Sequence, residues 1–257
     1  MEKKYLFFDI DGTLTDRSTG EIVPSAREAL TRLEENGHFV AIATGRAHYK
    51  AKKFTDANGF KNMVCCGGNG CVIDNELVEN IPLDKDGCIK IIHQAEELGY
   101  GWCVALDDTK DVYMTDDKFL RQVGKRKEPT RYIIDDMLEV EKADAIYKVY
   151  VAIPKEDEEK LTTKELVGHL RFEPEYLMFQ PDNKRGGIIK MMEHLNADIK
   201  DVVVFGDDYN DMDMFCPEWF SIAMGNACQD LKDMASYVTD TNVNDGIKKA
   251  CEYFEWI

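Results

Sequence analysis

Two stretches of this chain alternate short, wholly apolar runs with amphipathic ones, and that rhythm limits the possible folds more than any other feature. In the first stretch Tyr5 to Phe8, Phe39 to Ala43 and Met63 to Cys66 are apolar at successive positions, not at every second one. A strand reads this way where both faces of its sheet are covered by helices. Between these runs, Ser25 to Asn36 and Ala47 to Asn58 read as helices stopped by Gly37 and Gly59. Ser25 and Glu28 have capping-box spacing, and Ala29, Leu30 and Leu33 form an apolar stripe. Strand, helix, strand, helix, strand is the order of a parallel α/β sheet with right-handed crossovers. After Pro181 the rhythm returns: a helix over Gly187 to Leu195, strands at Val202 to Phe205 and Phe220 to Ala223, then helices over Ala227 to Met234 and from Asp245 onward.

The segment between follows another pattern. Cys71 to Ile73 and Glu76 to Glu79 flank Asp74-Asn75 as a hairpin would, and Pro82 punctuates the chain. Next come a helix over Lys85 to Leu98, strands at Trp102 to Leu106 and Val112 to Met114, helical stretches, and strands near Tyr147 to Ile153 and Tyr176 to Phe179. The acidic run Glu156 to Glu159 suits a solvated helix start. Strand pairs mixed with helices mark an α+β unit. The expected organisation is therefore a discontinuous, Rossmann-like α/β core over residues 1–81 and 182–257, interrupted by an inserted α+β domain over residues 82–181.

Charge narrows the partners. With 49 Asp and Glu against 32 Lys and Arg, the formal charge is −17, which repels nucleic-acid backbones and anionic membranes. No apolar run approaches the ~18 residues of a membrane span. The apolar stretch at the N-terminus ends at Asp9 after four residues, short of a signal peptide; a soluble, cytoplasmic protein is expected. Eight cysteines without Cys-x-x-Cys or zinc-like spacing read as reduced, mostly buried apolar residues.

Open α/β sheets bind ligands at the carboxyl ends of their strands, and four polar clusters fall there or at a helix start. They are Asp9-Ile10-Asp11-Gly12-Thr13-Leu14, Thr44-Gly45-Arg46, Asn183-Lys184-Arg185-Gly186-Gly187, and Gly206-Asp207-Asp208-Tyr209-Asn210-Asp211. Each alone is an ordinary loop. Together they bring carboxylates, a hydroxyl, a lysine and backbone donors to one edge, which is what phosphoryl transfer requires: a nucleophile, a hard cation, donors around the phosphate oxygens, and an acid/base. A carboxylate nucleophile divides hydrolysis into two easier steps, and carboxylate ligands select Mg²⁺ over softer metals.

In order and spacing these clusters resemble the four motifs of the haloacid dehalogenase (HAD) superfamily, with the insert between the second and third. Met224-Gly225-Asn226-Ala227 and Asp245-Gly246-Ile247 resemble its Cof-type sugar-phosphatase branch. The resemblance implies a HAD core with a cap that closes over the active site and selects the substrate. It implies Asp9 as nucleophile and Mg²⁺ ligand, and Asp11 as general acid/base, coordinating Mg²⁺ through its main-chain carbonyl. Thr44 and Lys184 would hold the phosphoryl oxygens, with the N–H groups of Ile10 and Gly45 and the amide of Asn210. Asp207 would complete the metal site, and Asp211 would orient Lys184 or a metal-bound water. Lys184 is followed by Arg185 where the family often has glycine, so Arg185 stands as the alternative cation.

Other residues have ordinary readings beside functional ones. Arg46 suits a substrate contact and a surface ion pair equally. Lys148 fits the polar face of a strand, and Trp102 and Tyr113 fit the core of the insert. The function implied is a Mg²⁺-dependent phosphatase of small phosphorylated metabolites, sugar phosphates first, through an aspartyl-phosphate. A phosphomutase and a non-catalytic phospho-ligand sensor are the alternatives.

Overall fold

The computed structural model describes residues 2–125 and 130–257. Residue 1, at the start of the expected core, and residues 126–129, within the expected insert, lie outside the described residues. Two compact units emerge, one of Met1–Arg46, Lys50–Glu79 and Asn183–Ile257, the other of Ala47–Tyr49 and Asn80–Asp182. The strands in chain order are β1 (Tyr5–Phe8), β2 (Phe39–Ala43), β3 (Met63–Cys65), β4 (Gly70–Ile73), β5 (Glu76–Asn80), β6 (Trp102–Ala105) and β7 (Asp111–Met114). They continue with β8 (Arg131–Ile134), β9 (Lys148–Val151), β10 (His169–Glu173), β11 (Tyr176–Phe179), β12 (Val202–Gly206), β13 (Phe220–Ala223) and β14 (Tyr237–Val238). The α-helices are α1 (Pro24–Glu35), α2 (His48–Asn58), α3 (Lys85–Glu97), α4 (Lys118–Val123), α5 (Lys184–His194), α6 (Gln229–Met234) and α7 (Gly246–Tyr253).

The first unit holds a sheet of order β14-β13-β12-β1-β2-β3-β4-β5. Pairing is parallel from β14 through β3, and β4 then turns antiparallel to β3. The continuous apolar runs are explained by two-sided burial. Leu6, Phe8, Val40, Ile42, Val203 and Phe205 pack with α1 and α7 on one face. Phe7, Ala41, Ala43, Val202 and Val204 pack with Ile188, Met191 and Met192 of α5 on the other. Strand β1 lies in the middle, between β2 and β12. That is where the direction of winding reverses and where open α/β sheets leave a crevice for ligands.

The second unit is a six-stranded sheet of order β10-β11-β9-β6-β7-β8, antiparallel except for the parallel β7–β8 pair. Trp102 packs on one face with Ile91 and Ile92 of α3, and Tyr113 lies against the same cluster. Cys103, Met114 and Phe119 fill the opposite face. The eight cysteines, five of them buried, form no disulfide with one another. Among the described residues no helix is long and apolar enough to cross a membrane.

Several local expectations are corrected. Helix α1 begins at Pro24, with Val23 as N-cap and no side-chain cap; proline at the first position supplies the helical φ and lacks an N–H that would need capping. The Ser25/Glu28 capping box therefore does not form. Helix α5 starts at Lys184, not Gly187, because the Asn183 side chain accepts from Gly186 N at 2.9 Å and caps it there. The acidic run lies in a 3₁₀ stretch, Lys155–Lys160, and α6 starts at Gln229, two residues after the expected Ala227. Strands β8, β10 and β14 had no sequence expectation.

Candidate active site

The polar clusters converge because β1, β2 and β12 are adjacent and parallel, so their last residues end on one edge. Asp9 follows β1, and its N–H donates to Phe205 O of β12 at 3.1 Å. Thr44 follows β2, and its N–H donates to Val64 O of β3 at 2.9 Å. Asp207 follows β12. The chain then doubles back at Gly12, whose φ of +98° is left-handed; a Cβ there would lie 2.2 Å from Asp207 Oδ2. Only glycine satisfies both conditions.

Lys184 comes from the far side of the insertion and is placed by the start of α5. Asn183 N–H donates to Gly67 O at 2.8 Å. Gly68, at φ +104°, lies so close that a Cβ would be 1.9 Å from Asn183 O. With α5 pressed onto this loop, Lys184 Nζ lies 2.8 Å from Asp9 Oδ1 and 2.6 Å from Asp211 Oδ1. Arg185 turns elsewhere: its N–H donates to Asp213 Oδ2 at 2.9 Å and its guanidinium pairs with Glu218. Of the two candidate cations, Lys184 is the one at Asp9.

Asp211 is the most enclosed carboxylate. Its Oδ2 accepts from Asp207 N at 2.9 Å and Asp208 N at 3.2 Å, completing a capping box with Asp208. Asn210 Nδ2 lies 3.4 Å from Asp211 Oδ1. One ligand atom each from Asp9, Asp207 and Asp211 can be chosen within 4.8 Å of one another, and all three residues are buried. Two of the three buried carboxylates, Asp9 and Asp211, pair with the buried Lys184 ammonium, and Asp207 pairs with the Arg17 guanidinium, so the anionic charge still exceeds the cationic. Burial, then the Asp211 charge, raises the Asp9 pKa to about 7 against the pull of Lys184. Burial and Asp211 likewise raise Asp207 to about 6, opposed by hydrogen bonds from Thr13 and Arg17. Burial works against the charge of Lys184, but Asp211 and Asp9 outweigh it and hold the ammonium protonated. Hard, anionic oxygens left short of positive charge fit a hard divalent cation.

The remaining predicted residues surround this cluster. Ile10 has its side chain in the core, so only its backbone can serve a ligand; its carbonyl accepts from Leu14 N and Thr15 N and ties the loop. Thr44 is buried, its Oγ1 accepting from Arg46 N at 3.2 Å; Gly45, between them, is part-exposed. The Asp11 carboxylate stands outside the buried group. Its N–H donates to Asp9 Oδ2 at 3.0 Å, while its two oxygens each lie 2.7 Å from Arg46 Nη2. Arg46 thus meets an acid of the motif itself, and its guanidinium stacks over Phe54 at 5.6 Å.

Three contributors had no role assigned from sequence. Thr13 Oγ1 donates to Asp207 Oδ1 at 2.9 Å. Asn226 Nδ2 donates to Gly12 O at 2.8 Å and lies 3.4 Å from Asp207 Oδ2. Arg17 Nη2 donates to Asp207 Oδ2 at 2.7 Å and Asp208 Oδ2 at 3.0 Å. Thr13 and Asn226 lie inside recognised motifs and could have been suspected; Arg17 sits in a loop with no signal.

A parallel α/β sheet with a buried carboxylate cluster and a buried lysine at its carboxyl edge is an arrangement suited to phosphoryl transfer. The haloacid dehalogenase-like hydrolase family profile matches residues 6–251. YkrA of Bacillus subtilis is 30% identical over 253 residues, covering 97% of each chain. The pyridoxal phosphate phosphatase YbhA of Escherichia coli is 28% identical over 269 residues, covering 96% of this chain and 97% of that one. Among solved structures, the HAD subclass IIB sugar phosphatase BT4131 superposes with a TM-score of 0.77 at 25% identity, covering 99% of this chain and 100% of that one. The chain belongs to the haloacid dehalogenase-like hydrolases, in their Cof-type branch, and is a phosphoric monoester hydrolase.

Proposed function

We propose that this protein is a Mg²⁺-dependent phosphatase of small phosphorylated metabolites, sugar phosphates first, working through an aspartyl-phosphate on Asp9. The observation that carries the reading is the buried Asp9–Lys184–Asp211 chain beside Asp207. It explains why a costly set of charges is kept out of water. Asp9 and Asp207, with the Asp11 carbonyl, would hold the Mg²⁺, which when bound neutralises the phosphate oxygens and the attacking carboxylate.

A carboxylate oxygen of Asp9 forms a bond to phosphorus as the bond to the leaving oxygen breaks, and Asp11 gives that oxygen its proton. A water then attacks the phosphorus, Asp11 takes the water's proton, and Asp9 is released with inorganic phosphate. Lys184 and Thr44 hold phosphoryl oxygens, with the N–H groups of Ile10 and Gly45 and the Asn210 amide. Asp211 keeps Lys184 aimed. Arg46, paired with Asp11, fixes the acid between turnovers. Residues 82–181 would form the cap that selects the substrate, and no polyanionic partner is expected at a charge of −17.

Phosphate release should be measured over a panel of phosphorylated sugars, nucleotides and cofactors, pyridoxal phosphate included. Release from at least one sugar phosphate, abolished by EDTA and restored by Mg²⁺, is expected. Full activity in EDTA would remove the metal from the mechanism, and phosphoryl return to another position of the sugar would make the enzyme a mutase.

A further inference from the structure

Arg17 lies at the head of a tight hairpin. Thr15 bridges Ile22, Asp16 N–H donates to Glu21 O at 3.0 Å, and Gly20 N–H donates to Asp16 O at 2.7 Å. This turn brings Arg17 back over Gly12, whose missing side chain leaves the room: a Cβ on Gly12 would lie 2.5 Å from Arg17 Nε. The guanidinium thereby reaches Asp207 Oδ2, on a carboxylate that is 2% exposed, while its own side chain is 58% exposed. Its second partner is Asp208. The other oxygen of Asp207 is held by Thr13, so Oδ2 is the one best able to receive a metal, and a guanidinium donates to it.

We propose that Arg17 is a tethered counter-cation of the metal site: it neutralises Asp207 while Mg²⁺ is absent and must leave Oδ2 when Mg²⁺ binds, so that it weakens metal affinity and protects the empty site from its own repulsion. The exposure of Arg17 supports this, since a mostly solvated arginine on a short hairpin can leave Asp207 while keeping its contact to Asp208 or turning to water. Lys184, fully buried between Asp9 and Asp211, cannot. Occupation of Asp207 by one cation excludes the other, because two positive charges on one oxygen repel. The inference rests on the metal reading given above.

The test compares the parent with Arg17→Gln and Arg17→Lys, by isothermal titration with Mg²⁺ and by thermal unfolding with and without saturating Mg²⁺. A pair between an exposed arginine and a buried carboxylate supports an expectation of about tenfold tighter Mg²⁺ binding in Arg17→Gln, with Arg17→Lys between it and the parent. Without metal, Arg17→Gln should unfold at a lower temperature than the parent. In saturating Mg²⁺ the two midpoints should coincide, because a contact absent from the metal-bound state costs nothing there when removed. An unchanged dissociation constant, or an equal loss of midpoint with and without Mg²⁺, would overturn the proposal and make Arg17 a plain structural partner of Asp207. No heat of Mg²⁺ binding in either parent or variant would overturn the metal site itself, and the proposal with it.

Discussion

The floor of the site and its rim are both built from opposite charges, yet they differ in what surrounds them. In the floor, Lys184 is 1% exposed and its partners Asp9 and Asp211 are 8% and 0% exposed at the side chain. On the rim, Asp11 is 62% exposed and Arg46 25%. A buried ion set costs more in desolvation than its attraction returns, and losing one partner strands the other. An exposed pair adds little to stability and can break at little cost. The contrast teaches where rigidity and movement belong. Under the proposed mechanism the nucleophile would have to point one way every cycle, which buried charge secures; the proton carrier would have to exchange with water, which a place in solvent on a releasable arginine allows.

Three substitutions test the difference between floor and rim. The largest effect is expected in Asp9→Asn, where turnover should fall by at least about a thousandfold while near-ultraviolet circular dichroism stays native. Retained turnover would show that the floor is not where chemistry occurs. Lys184→Met should come next. It leaves two buried carboxylates, Asp9 and Asp211, without their ammonium, so urea unfolding should report a loss of about 3–5 kcal/mol along with inactivity. A loss below about 1 kcal/mol, the range of exposed pairs, would erase the difference between floor and rim. Arg46→Ala should matter least for folding, within about 1 kcal/mol in the same titration. Its effect should appear instead as a lower kcat with little change in KM, since Asp11 loses the partner that positions its carboxylate; an unchanged kcat would detach Arg46 from the acid.

Much of the floor was legible in the sequence because each piece follows an apolar run that only a buried strand explains. Asp9 after Tyr5–Phe8, Thr44 after Phe39–Ala43 and Asp207 after Val202–Gly206 are placed by periodicity, and their convergence follows once the strands are parallel neighbours. Local competition was harder to read. Pro24 displaced the cap expected at Ser25, and Asn183 started α5 three residues early across a Lys-Arg-Gly-Gly run of mixed helix propensity. The rim was least legible. Arg17 meets Asp207 across 190 positions of sequence, and nothing in an exposed hairpin announces which distant acid its side chain will find. Likewise β8 on β7 and β10 on β11 form the two edges of the second sheet through residues whose alternation is too weak to mark a strand, such as Arg131 to Ile134.

The central place of β1 has a consequence for how the protein is made. One edge of β1 pairs with β2, in place once residue 43 is synthesised, but its other edge pairs with β12, which begins at residue 202. During translation the whole intervening segment, with its own six-stranded sheet, leaves the ribosome while β1 still lacks a neighbour. Domains fold as units during synthesis, so the second unit can be complete before the first has all its strands. Asp9 meets Lys184 across 175 positions, and the buried charge cluster therefore comes into being only in the last stage of synthesis. A ribosome paused once residue 182 has emerged can carry a folded second unit while the first still lacks β12.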